Sequence, residues 1–145
     1  MTAVAPPPDA VPNTQSNQPM SEVIAGLDGS VLIVEDDSGM RSATRRAIGR
    51  AGLRVHTAAD GDEAARMLAE HNDIKLVLLD IILPGRRGTE LKAEFEKRYP
   101  DTQFVLVSGY DTESLEAVGV SADHLKVLHK DPRHLIESIK DLMKV

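Results

Sequence analysis

The sequence predicts an α/β fold: a doubly wound, five-stranded parallel sheet with helices on both faces. Three observations carry that expectation. Val31–Val34, Leu76–Leu79 within an expected strand Lys75–Leu79, and Phe104–Val107 are short apolar runs with little in-out alternation, as strands buried on both faces require. Stretches of helical periodicity fall between the strands, so the order reads βαβαβαβαβα, and right-handed crossovers make such a sheet doubly wound. Finally, 145 residues are enough for one proper core and too few for two.

Each element has its own local reason. After Val31-Leu32-Ile33-Val34 a helix should start at about Ser38. Met40, Ala43, Ala47, Ile48 and Ala51 share one of its faces, and Gly52 stands where a helix-ending glycine belongs. A second strand is expected from Leu53 to Thr57. Asp60-Gly61-Asp62-Glu63 has capping-box spacing and opens a helix to about Glu70. The third strand ends at Asp80. Beyond the Pro84–Gly88 loop, Leu91, Phe95 and Tyr99 mark one side of a helix stopped before Pro100. The fourth strand precedes a short helix near Thr112–Val118 and a fifth strand at about Lys126–His129. Asp131 as N-cap and Pro132 in the first position open the last helix, with Leu135, Ile136, Ile139, Leu142 and Met143 as its apolar stripe.

The first residues differ in kind. Five of the eight prolines (Pro6, Pro7, Pro8, Pro12, Pro19) lie there among small and polar residues. Such a segment buries too little apolar surface to offset chain entropy, so residues 1–28 read as a disordered tail or linker and 29–145 as the domain.

Composition excludes several functions. The absence of cysteine rules out disulfide scaffolds, thiolate metal sites and cysteine nucleophiles. Aromatic residues at 3% leave little for base stacking, and a net charge of −6 disfavours direct nucleic-acid binding. No apolar run approaches the roughly 18 residues of a membrane span. Met1-Thr2-Ala3-Val4 lacks the character of a signal peptide, so the expected location is cytoplasmic.

The strand ends carry the chemistry, because ligands of such sheets bind at the carboxyl edge. Glu35-Asp36-Asp37 follows the first strand, Asp80 ends the third, Ser108-Gly109 the fourth and Lys130 the fifth. Clustered carboxylates repel, and a hard divalent cation, Mg2+ above all, removes the conflict. A lysine and a hydroxyl opposite would hold an anion, which together suggests phosphoryl transfer to a carboxylate. Gly85-Arg86-Arg87-Gly88 lacks the lysine and serine of a P-loop and reads as a turn with two solvated arginines. Arg41, Arg45, Arg46 and Arg50 read as a solvated basic face, and the five histidines show no metal-ligand spacing.

Taken together, residues 31–145 resemble the response-regulator receiver domains of two-component signalling. Glu35-Asp36 resembles the family's acidic pair, and Leu78-Leu79-Asp80-Ile81-Ile82-Leu83-Pro84-Gly85 its phosphoacceptor segment, with Gly88 at the usual glycine. Ser108 falls at the Thr/Ser position and Lys130 at the lysine. The resemblance implies the flavodoxin-like strand order 2-1-3-4-5. It implies that Asp80 accepts a phosphoryl group from a histidine kinase or histidine phosphotransfer protein. Glu35, Asp36, Asp80 and the Ile82 carbonyl would surround Mg2+; Lys130 and Ser108 would hold the phosphoryl oxygens. The chain would be a signalling module passing its state to a downstream protein, not an enzyme beyond its own phosphotransfer and dephosphorylation. It would stand alone or come from a hybrid histidine kinase. The alternative is a receiver-fold interaction module that works without phosphorylation.

Three departures from the family pattern stand out. Lys130-Asp131-Pro132 replaces the usual Lys-Pro, and a cis Lys130–Asp131 bond would cost about 2.5–4 kcal/mol, so a rearranged loop with Asp131 as cap is expected. Lys126 is the weaker candidate for the lysine. Val127 falls near the place of the aromatic switch residue, and Ile82 and Tyr110 would flank the phosphoryl group and hinder an attacking water.

Overall fold

The structure, a computed structural model, describes residues 29–109, 116–117 and 127–143. The elements are β1 (Ser30–Val34), α1 (Ser38–Arg50), β2 (Arg54–Ala58), α2 (Gly61–Glu70), β3 (Ile74–Asp80), α3 (Gly88–Arg98), β4 (Gln103–Ser108), β5 (Val127–His129) and α4 (Pro132–Leu142). All strand pairings are parallel, in the order β2-β1-β3-β4-β5. Of the expected Thr112–Val118 helix, Glu116 and Ala117 are described and helical; the rest lies outside the described residues, as do Tyr110, His124 and Lys126.

The sheet divides the core in two. Leu32, Val34, Val77, Leu79 and Leu106 face α2 and α3, meeting Ala64, Leu68, Leu91 and Phe95. Val31, Ile33, Leu76, Leu78 and Val107 face α1 and α4, meeting Ile48, Leu135 and Ile139. This is the period of two along each strand, with both sides apolar because both are covered.

The starts of α1 and α2 are capped by side chains, Asp37 and Asp60. Asp60 Oδ1 accepts from the Glu63 amide at 2.8 Å, but the Glu63 carboxylate accepts from Ala59 N at 2.6 Å, one residue before the expected partner. Two local expectations need correction. The second strand is Arg54–Ala58, one residue later than read, because Leu53 still bonds back to Ile48 of the preceding helix turn. On α1 the inward face holds Thr44 and Ile48, while Met40 is exposed at 37%. Met40 sits in the first turn, at the open carboxyl edge of the sheet, where no strand lies beneath it.

Candidate functional site

The parallel pairing of β1 with β3 brings the acidic residues together. β1 delivers Glu35 directly after its last residue, and Glu35 N prolongs the ladder to Ala58 O at 2.9 Å. β3 ends on Asp80, which pairs in register with Val107 of β4. One ligating oxygen each of Glu35, Asp36 and Asp80 lies within 4.8 Å of the others; Glu35 and Asp80 are buried and Asp36 is exposed.

Lys130 enters this cluster from beyond β5. Its Nζ donates to Asp80 Oδ2 at 2.8 Å and meets Glu35 Oε1 at 2.5 Å. Its backbone N–H bonds Ser108 O at 3.1 Å, which continues the β4–β5 pairing and aims the side chain inward. Among the described residues there is no cis peptide bond, and the Asp131 carbonyl accepts from Leu135 N at 3.0 Å at the start of α4. The altered Lys130-Asp131-Pro132 run therefore keeps the lysine on the acidic pair.

The electrostatics follow from this packing. Burial lowers the proton affinity of Lys130, but its hydrogen bonds to Asp80 and Glu35 outweigh that and raise its pKa above the usual 10.5. Burial lifts Glu35 above its usual 4.5, with repulsion from Asp80 adding and the bonds from Lys130 and the Asp37 amide opposing. A single ammonium between two buried carboxylates leaves excess negative charge, and exposed Asp36 adds to it at the rim. This all-oxygen, partly open donor set fits Mg2+, which takes one or two carboxylates and keeps waters.

The remaining site residues are placed as follows. Asp80 Oδ1 accepts from the Ile82 amide at 3.1 Å, so the Ile82 N–H orients the Asp80 carboxylate. Ile82 also bridges Arg87, and Gly88 N donates to Ile81 O at 2.8 Å, closing the loop over Asp80. A Cβ on Gly88 would fall onto the Asp80 carbonyl oxygen, which is why glycine stands there. Ser108 is buried at the end of β4, beside the end of β3.

Some roles escaped the sequence. Asp37, which the sequence placed beside the acidic pair after β1, is the N-cap of α1, accepting from Met40 N at 2.7 Å; an aspartate three residues before Met40 is the signal for that cap. Arg41 is not simply solvated: one guanidinium nitrogen donates to Glu35 O at 2.8 Å and to Asp36 O at 3.3 Å, bracing the acidic loop. Arg86 pairs with Glu94 at 2.8 Å. His56 and His71, half-buried, stack with ring centroids 4.1 Å apart beside Asp73. Residues 15 positions apart carry no local spacing signal; the fold joins them.

Comparison with known proteins gives one consistent answer. The family model described as "Response regulator receiver domain" matches residues 31–140. The chain is 38% identical over 92 residues to sensor kinase CckA of Brucella abortus, covering 61% of this chain and 10% of that protein. It is 32% identical over 120 residues to the transcriptional regulatory protein AruR of Pseudomonas aeruginosa, covering 79% of this chain and 49% of that one. The chain thus spans half or less of the length of these relatives. Among solved structures, a CheY-like receiver domain protein from Methanospirillum hungatei matches with TM-score 0.65 at 30% identity, over 79% of this chain and 93% of that one. The regulator TrrA of Thermotoga maritima, solved in complex with Mg2+-BeF, matches with TM-score 0.66 at 27% identity, over 79% of this chain and 98% of that one.

Proposed function

The chain belongs to the response regulator receiver domain family of two-component systems, and we propose that Asp80 is its phosphoacceptor. The observation that carries the proposal is the Lys130 ammonium held between Asp80 and Glu35 at the carboxyl edge of the sheet. A carboxylate oxygen of Asp80 attacks the phosphorus of a phosphohistidine on a histidine kinase or histidine phosphotransfer protein. The P–O bond forms as the P–N bond breaks, and its electron pair returns to the imidazole, which leaves neutral with the proton already on its other ring nitrogen. Lys130 already contacts Asp80 Oδ2 and holds the arriving anionic oxygens without reorganisation. Ser108 donates its hydroxyl to the same group, drawing the end of β4 inward. The new charge-assisted bonds bias the following loop toward a second packing that a downstream protein reads.

Glu35, Asp36, Asp80 and the Ile82 carbonyl would hold Mg2+. When bound, Mg2+ supplies positive charge that lets an anionic phosphoryl group approach three carboxylates. The carboxylates themselves are pre-set by Arg41 on the Glu35 and Asp36 carbonyls and by the Asp37 amide on Glu35. Among the described residues no helix is long and apolar enough to cross a membrane. The reading includes a cytoplasmic location, residues 1–28 as a tail or linker, and no direct contact with nucleic acid.

Intact mass after incubation with acetyl phosphate tests the proposal. A single phosphoryl adduct is expected, absent without magnesium and absent in Asp80→Asn. No adduct with acetyl phosphate or with a phosphorylated histidine donor would assign the chain to the phosphorylation-independent interaction module. Ile82→Asn with Tyr110→Ala is expected to speed loss of the adduct; an unchanged or slower rate would count against their shielding role.

A further inference from the structure

His56, His71 and Asp73 meet at the other end of the sheet. His56 lies in β2, an edge strand, paired with Leu32. His71 is the C-cap of α2 and Asp73 immediately precedes β3. β3 separates Asp73 from Asp80 by seven residues, roughly 20 Å of strand, so the two clusters are independent.

One ligating atom from each of the three lies within 4.8 Å of the others, and all three side chains are part-buried. The imidazoles stack at 4.1 Å with their planes 23° apart, and His56 Nε2 is 3.8 Å from Asp73 Oδ1. The backbone around them is fixed: Asp73 O accepts from Ser30 N at 2.7 Å, and His71 N bonds Met67 O at 2.9 Å. Burial, with His71 and Arg54 adding and Asp73 opposing, lowers the proton affinity of His56. The Arg54 guanidinium, 3.9 Å from Asp73 and largely exposed, approaches the other carboxylate oxygen, Oδ2, and leaves Oδ1 toward His56.

Two imidazoles and one carboxylate are the donor set of zinc-class cations rather than of magnesium or calcium. Metal–nitrogen bonds of about 2.0–2.1 Å need ligand atoms roughly 3–3.5 Å apart, a contraction that side-chain rotation supplies on a fixed backbone. We propose that His56, His71 and Asp73 form a three-ligand site for a zinc-class divalent cation, with its open positions facing solvent. The bound ion would tie the edge strand to the α2–β3 turn, away from the acidic edge.

Calorimetric titration of the full chain with zinc chloride, in excess magnesium so that the acidic edge is occupied, tests this. One equivalent of Zn2+ is expected to bind, with affinity reduced at least about tenfold in His71→Ala and in Asp73→Asn and unchanged in Asp80→Asn. Because either variant could lose structure, the imidazole proton resonances of the unaltered chain give a second readout. Those of His56 and His71 are expected to shift together as zinc is added. Absence of binding, equal binding in both variants, loss in Asp80→Asn, or shifts confined to other histidines would each overturn the site.

Discussion

Lys130 shows how much one side chain can decide. Sequence placed it after the fifth strand but with aspartate, not proline, behind it. In the structure the Lys130 amide pairs with Ser108 O, and that single backbone bond is enough to aim the ammonium at Asp80 and Glu35. Removing it leaves two buried carboxylates facing each other. Breaking a fully buried pair costs about 3–5 kcal/mol, and the partial exposure of Lys130 reduces this to roughly 2 kcal/mol. Lys130→Ala is therefore expected to lower the urea midpoint in magnesium-free buffer, and added magnesium to recover most of the loss. An equal midpoint with and without the lysine would show that the carboxylates need no counter-cation. Arg41 was read as surface charge because sequence shows side-chain type but not reach; i to i+6 across a helix start is a tertiary contact.

At the scale of elements, the strands were the most legible part, since an uninterrupted apolar run has few alternatives once both sheet faces are covered. Helix faces were less so. Periodicity selected Met40 for the α1 core, yet Thr44 is inside, because the first turn projects past the sheet edge. The loop between β3 and α3 is set by close approach. Gly88 passes against the Asp80 carbonyl where any side chain would collide with backbone. Gly88→Ala is expected to destabilise the domain by about 1–3 kcal/mol through forced backbone shift. It should also slow Asp80 phosphorylation, since the loop carries the Ile82 amide bonded to Asp80 Oδ1. Chemical denaturation beside the acetyl phosphate reaction separates the two effects.

At the scale of the whole molecule, His56 makes stability depend on pH. His56 is held below its ordinary value of 6.5 by burial first, then by His71 and Arg54, against the pull of Asp73. The folded state therefore binds fewer protons than the unfolded chain. The stability this confers is present above the unfolded value of 6.5 and is lost as pH falls through the lower folded value. Unfolding free energy is expected to fall between about pH 7.5 and pH 5.5, the range in which histidine titrates. His56→Gln should flatten that slope. A slope unchanged by the substitution would place the pH sensitivity elsewhere.

The sequence by itself determined the sheet, its helices on both faces, and the acidic pair, aspartate, serine and lysine at strand ends. Those follow from local patterns, namely apolar runs, capping spacing and a residue's position after a strand. Tertiary structure alone decided which side chains meet. Lys130 reaches Glu35 and Asp80 across 95 and 50 residues of chain, and His56 meets His71 and Asp73 only because β2 lies beside the turn into β3. A contact between distant residues is set by the register of strands and the length of loops, and no short stretch of sequence contains either.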